Sequence, residues 1–219
     1  MAALVWDDAG NRFYETGVEK GVLYLIDGSG DYPLGVAWNG LVNVTESPSG
    51  AEASPLYADN LKYLNLISLE EIAATIEAYT FPDEFLECDG FAAPTGVPGS
   101  FFSQQGRTTF ALSYQTKVGN DVDGDAHGYK IHLLYGCLAS PSERAYQSIN
   151  ESPEAITFSW EVNTTPPVAA AGMNAGSLIV IDSRTADPTK LAAFELIVYG
   201  DTGDPRCPLP AEIVTLMTP

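Results

Sequence analysis

Basic side chains are scarce in this chain: 10 Lys plus Arg stand against 29 Asp plus Glu, a formal net charge of −19 over 219 residues. That imbalance argues against unassisted binding to nucleic acid or to an anionic membrane, since both are polyanions. Histidine is scarcer still, with only His127 and His132. No GxSxG elbow occurs, so a nucleophilic triad lacks both a choice of base and its usual turn. The three cysteines, Cys88, Cys137 and Cys207, cannot all pair within one chain. None lies in a CxxC or other metal-like spacing, and they read as reduced, incidental thiols. Strongly apolar runs last only a handful of residues, far short of a membrane span. The N-terminus, MAALVWDDAGN, lacks the basic region and apolar run of a signal peptide. The chain is expected to be made and folded in a cytoplasm.

What is present is a folding composition. At 45% hydrophobic and 11% aromatic residues, the acidity does not signal disorder. A chain of this length should bury roughly 70% of the surface it exposes unfolded, enough for one sizeable core, and one domain over 1–219 is favoured. Period-two alternation dominates. Ile156, Phe158, Trp160 and Val162 are apolar between polar Thr157, Ser159 and Glu161, the pattern of a half-buried strand. Segments 110–118 and 129–135 alternate likewise around a turn rich in Gly, Asn and Asp, which predicts an antiparallel hairpin with His132 on the polar face beside Lys130.

Further strands are expected over Gly21–Ile26, Val36–Thr45 and Leu61–Ile67, the last following a reversal at Tyr57–Leu61. Residues 70–80 admit helix or strand, with strand favoured over 74–80. Leu178–Ile181 is a short continuous apolar run, the mark of a strand buried on both faces. One helix is well signalled over about 187–199. Asp187 fits the N-cap, Pro188 the first turn and Gly200 the C-cap, with Leu191, Phe194 and Val198 on one stripe. Residues 92–103 read as loop and 205–219 as a proline-punctuated tail, with a docked and a loose arrangement both open. The sum is a mainly β fold, a sandwich or open barrel with one flanking α-helix.

Candidate chemistry is thin. The run Asp121-Val122-Asp123-Gly124-Asp125 invites a calcium reading, but its glycine falls at the fourth position and His132 at the twelfth, so it is no EF-hand loop. An irregular ion site and an acidic turn both remain open there. Gly28-Ser29-Gly30 lacks the rest of any phosphate-loop pattern. No cofactor and no catalytic residue is expected, and the chain reads as a non-enzyme. One asymmetry stands out. Between Lys62 and Arg107 lie seven acids, Glu70, Glu71, Glu77, Asp83, Glu84, Glu87 and Asp89, with no Lys or Arg among them. They mark either a solvated surface or a face whose sign matters to something passing or docking against it.

Several stretches carry a family resemblance. They include Tyr14-Glu15-Thr16-Gly17-Val18, Gly35-Val36-Ala37-Trp38-Asn39-Gly40-Leu41, Thr45-Glu46-Ser47-Pro48-Ser49-Gly50 and Leu56-Tyr57-Ala58-Asp59-Asn60. Others are Thr75-Ile76-Glu77-Ala78-Tyr79-Thr80, Gly128-Tyr129-Lys130-Ile131-His132 and Ile156-Thr157-Phe158-Ser159-Trp160-Glu161. Together these resemble the major tail tube proteins of long-tailed, non-contractile phages of Gram-positive bacteria, over most of residues 12–200. The resemblance implies a tail-tube-type β-sandwich or open barrel with long inter-subunit loops, and hexameric rings stacked into a virion tail assembled in the host cytoplasm. It further implies tape-measure, tail-tip and tail-terminator proteins as partners, DNA passing through the lumen without specific binding, and no membrane partner. Residues 1–12 and 201–219 are then expected as arms, and the seven acids are candidates for the lumen or an interface. A ligand- or carbohydrate-binding β-sandwich module, with Trp6, Trp38 and Trp160 as an aromatic platform, is the alternative. A hydrolase using paired acids ranks last.

Overall fold

Alternating apolar residues pull one face of each strand toward a core. The computed structural model, which describes residues 4–149, 151, 154–201 and 203–218, contains ten strands, most of them of this kind. They are β1 (Phe13–Leu25), β2 (Leu34–Trp38), β3 (Leu41–Gly50), β4 (Ala53–Ala58), β5 (Leu61–Ile67), β6 (Glu70–Ala78), β7 (Phe110–Asn120), β8 (Gly124–Ala139), β9 (Phe158–Thr164) and β10 (Leu178–Asp182). Helices α1 (Phe85–Cys88), α2 (Pro188–Tyr199) and α3 (Pro210–Met217) complete the described elements.

Eight strands form one antiparallel sheet in the order β2-β1-β7-β8-β9-β6-β3, with β10 also paired to β8. β8 is the fork: Lys130–Leu134 pair with β10, and Cys137–Ala139 pair with β9. Gly136 sits at the branch with φ 59°, where a Cβ would lie 2.0 Å from the Thr165 carbonyl oxygen. Only glycine lets the strand bend away there. The two ends of the order, β2 and β3, are joined by Asn39–Gly40 alone. Side chains from both ends meet in one core, so the sheet is an open barrel.

That inner core holds Leu23, Trp38, Ile76, Phe85, Phe110, Leu112, Leu134 and Trp160. Phe85 is its plug, wholly buried, with ring centroids 4.6 Å from Trp38, 5.1 Å from Trp160 and 5.4 Å from Phe110. A second core lies outside the barrel wall, where Tyr24, Ile131, Leu133 and Tyr135 pack under Leu191, Phe194 and Val198 of α2 and Ile213 of α3. Strands β1, β7 and β8 are therefore covered on both sides.

The double covering changes the expected polar faces. Ser113 and Gln115, polar members of the β7 alternation, are buried beneath the helices. They are satisfied there: the Tyr24 hydroxyl lies 3.2 Å from Ser113 Oγ and donates to the Val198 carbonyl at 2.7 Å. His132 is buried as well, stacked on Tyr114 at 4.7 Å, rather than on a solvated face.

The 110–135 hairpin forms as expected, with Tyr114 opposite His132 and Lys117 opposite Tyr129. Residues 70–78 are strand. Asp187 caps α2 by accepting from the Thr189 and Lys190 amides at 2.9 and 3.0 Å. Three expectations need correction. Val36–Thr45 is two strands, because Asn39–Gly40, a strong turn pair, carries the chain from one end of the barrel to the other. Leu178–Ile181 is an edge strand with Val180 exposed, since β10 pairs only with β8. One flanking helix becomes three elements. Of the two readings open for the C-terminal stretch, docking is the one seen: Cys207 bridges to Tyr32, and Ile213 of α3 is buried in the outer core.

Candidate assembly and channel surfaces

Strands β3 and β6 continue beyond the barrel as β4 and β5, making one long ribbon. At the exit Gly50 takes φ 85°, and a Cβ there would meet the Leu69 carbonyl oxygen at 2.2 Å, so the kink requires glycine. The tip is Asp59–Asn60, both at positive φ, the two-residue turn whose twist suits a hairpin. From Ser47 to Glu71 every residue is exposed. The outer part projects roughly 25 Å at the usual strand rise of about 3.3 Å per residue.

The ribbon's chemistry is unlike that of the body. Leu56 pairs with Leu64 and Ser54 with Leu66, which sets three leucines on one face; Tyr57 and Ile67 stand on the other. All five are exposed, Tyr57 and Ile67 each at 70%. A lone two-stranded ribbon is marginal in water, and contiguous exposed apolar surface is characteristic of contact sites. Its charge also differs from that of the body. Within 53–67 the charged residues are Asp59 and Lys62, so this segment is neutral on a chain of charge −19. Leu4, Val5 and Trp6 form a second exposed apolar run, at 78%, 70% and 75%.

A different surface lies on the outside of β3, β6 and β9. Residues paired across antiparallel strands point the same way. The rows here are Asn43–Glu77–Ser159, Thr45–Thr75–Glu161, Ser47–Ala73–Asn163 and Ser49–Glu71. Each is small and neutral or is glutamate; none is Lys or Arg. Helices α2 and α3 pack on the other half of the wall, so this half is a bare, acidic face.

The seven acids of the base-free stretch divide among several places. Glu71 and Glu77 sit on the bare face, and Glu70 at the root of the ribbon. Asp83, Glu84 and Glu87 are exposed around α1, with Glu87 accepting from the Thr108 hydroxyl at 3.3 Å. Asp89 is inside, its carboxylate 5% exposed and held by Arg107, Arg144 and the Trp160 indole. Glu161 joins the bare face from a distant segment. Its signal in the sequence was its polar place in the 156–162 alternation.

Where β1 and β3 lie across the barrel opening, a polar network ties four strands together. Glu46 of β3 accepts from the Tyr114 hydroxyl and lies 3.2 Å from His132 Nδ1. Glu15 of β1 accepts from Thr116 Oγ1 at 2.6 Å and pairs with Lys130. The His132 bond holds the Glu46 carboxyl below its ordinary value of 4.5, against the upward push of burial. Burial also pushes Glu15 up, but Lys130 and Thr116 outweigh it and the net direction is down. A carboxylate with a lowered folded-state pKa contributes stability above its unfolded value, and that contribution disappears as pH falls through the folded one. The fall in melting temperature between about pH 5 and pH 3 should therefore be shallower in Glu46→Gln than in the parent chain. Equal acid slopes would remove this network from the account.

Other candidates resolve into structural roles. The Asp121–Asp125 carboxylates turn to separate protein donors: Asp121 to the Gly10 amide at 2.9 Å, Asp123 to His127 at 3.2 Å, and Asp125 to the Tyr14 hydroxyl at 2.8 Å. No cluster of three metal-ligating side chains occurs among the described residues. Trp38 and Trp160 are buried in the inner core, so only Trp6 of the supposed aromatic platform is accessible. All three cysteines are free and buried, and burial pushes the Cys88 and Cys207 thiols up to about 12. No helix is long and apolar enough to cross a membrane among the described residues.

No protein-family model matches the sequence, and no curated protein sequence does. Among solved structures, the fold is similar to a chain in the cryo-EM structure of the anti-feeding prophage (AFP) baseplate, six-fold symmetrised. That likeness has a TM-score of 0.37 and 10% identity, and covers 81% of this chain and 97% of that one. Similarity at this level assigns no function, and the tail-tube resemblance rests on the sequence stretches quoted above.

Proposed function

We propose that this chain is a non-catalytic structural subunit of a phage tail-type tube, associating with copies of itself in hexameric rings that stack around a channel for DNA. The observation that carries the reading is the neutral, apolar β4–β5 ribbon standing clear of an otherwise strongly acidic body. Association of copies covers that apolar surface and places the contact where like-charge repulsion is weakest. The sequence resemblance supplies the ring and the tube. Tape-measure, tail-tip and tail-terminator proteins are the partners it suggests.

The bare face of β3, β6 and β9 is our candidate for the channel wall. Small side chains leave it smooth, and glutamates without bases keep a passing polyanion from adhering. Negative-stain microscopy of the purified protein, alone and with tail-tip partners, should reveal rings or tubes; monomers at every concentration tested, with those partners present, would defeat the proposal. Reversing Glu71, Glu77 and Glu161 to lysine should leave assembly intact and slow DNA ejection at low salt, where screening is least. Unchanged ejection kinetics would take this face out of the channel.

A further inference from the structure

After β8 the chain runs from Ser140 to Ile149 as a strap without helix or strand. Most of it is exposed, including Tyr146 at 69% and Ile149 at 89%. Its root is held where the Ser140 amide donates to the Glu161 carbonyl at 2.7 Å, and beyond that point its hold, among the described residues, is concentrated in one side chain. The Arg144 guanidinium carbon lies 5.0 Å from the Phe91 ring centroid, 5.7 Å from Phe81 and 5.9 Å from Phe158. At the floor of these three rings the guanidinium pairs with Asp89, whose carboxylate is almost completely buried. The Trp160 indole donates to the same Asp89 oxygen at 3.1 Å.

Among the described residues Asp89 has one further cationic neighbour, and it is poorly placed. Arg107 Nη1 stands 3.5 Å from Asp89 and is already engaged with the Ala139 carbonyl at 2.9 Å. Arg144 is therefore the principal counter-charge to a buried carboxylate, and an uncompensated charge there is costly. Three aromatic faces around an acidic floor suit a planar, weakly hydrated cation that both stacks and forks its hydrogen bonds. An ammonium carries the same charge but neither property.

We propose that Phe81, Phe91, Phe158 and Asp89 form a binding socket for an alkylguanidinium group. In the free chain it is filled by Arg144, which makes this residue the releasable latch of the Ser140–Ile149 strap. The class of ligand is an arginine side chain. Another arginine entering the socket would displace the strap and free Tyr146 and Ile149 to move. The assignment stands on this geometry and does not depend on the tube reading.

Arg144→Ala empties the socket without touching the barrel. Its melting temperature should fall by about 5–10 °C, the scale of breaking a buried pair in a chain of this size. Methylguanidinium at about 20 mM should restore a large part of that loss, because a ligand bound only by the folded state stabilises it. Methylammonium and sodium chloride at equal ionic strength should not, and none of the three should raise the parent's melting temperature comparably. A loss without selective rescue, or no loss at all, overturns the socket. The strap is read separately by trypsin on Asp89→Asn, which keeps an acceptor for Trp160 but removes the charge. Cleavage after Arg144 should then be about tenfold faster than in the parent, while the barrel survives, since release exposes the bond in proportion to the open population. Equal cleavage rates overturn the latch.

Discussion

Replacing Leu56, Leu64 and Leu66 together with serine is expected to abolish self-association while leaving the subunit's melting temperature within about 2 °C of the parent. The three share one face of the ribbon and are exposed in the single chain, at 45%, 39% and 55%. They contribute little to its own fold. Covered by a neighbouring copy they are together worth about 5 kcal/mol, a thousandfold or more in association constant. Sedimentation velocity alongside microscopy checks both halves of the expectation. Rings formed by the triple variant as readily as by the parent would show that contact lies elsewhere on the chain.

Phe85→Ala should do the reverse. This residue comes from a four-residue helix yet is completely buried at the centre of the inner core. Its ring meets Trp38, Phe110 and Trp160, and Phe81 at 6.0 Å, mostly in tilted or edge-to-face geometry. Deleting it leaves a cavity that strands on several sides cannot collapse to fill. A cost of about 4 kcal/mol follows, and a fall of about 8–16 °C in melting temperature. Thermal denaturation followed by tryptophan fluorescence reads it directly, because two of the neighbouring rings are indoles. A shift under about 3 °C would mean that the barrel repacks and that α1 is not its plug.

The two variants separate the parts of the molecule that fold it from the part proposed to join it to others. That division was only partly legible beforehand. The hairpin of β7 and β8 and the capped helix α2 were visible because their signals are local: alternate residues, an Asp before a Pro, a Gly at the end. The turn at Asn39–Gly40 is equally local, but apolar residues run on both sides of it and mask it as one continuous strand.

Asp89 and His132 show where local signals end. Both are polar residues in polar-looking settings, and both are buried because distant segments close over them: Arg144 and Trp160 over one, Glu46 and Tyr114 over the other. Period-two alternation says that a strand has two unlike faces; it does not say what lies against either. The polar face of β7 is roofed by α2, more than seventy residues onward, whereas that of β6 stays bare and acidic. Leu61–Ile67 looked like an ordinary strand and is the most exposed apolar segment of the ribbon, because its only partner is β4. The sequence alone thus determined the β7–β8 hairpin, the helix cap and the acid-rich, base-poor composition, all encoded within a few residues or by simple counting. Tertiary structure alone decided which faces are core, which are covered and which stay exposed, because burial depends on contacts between residues far apart in the chain.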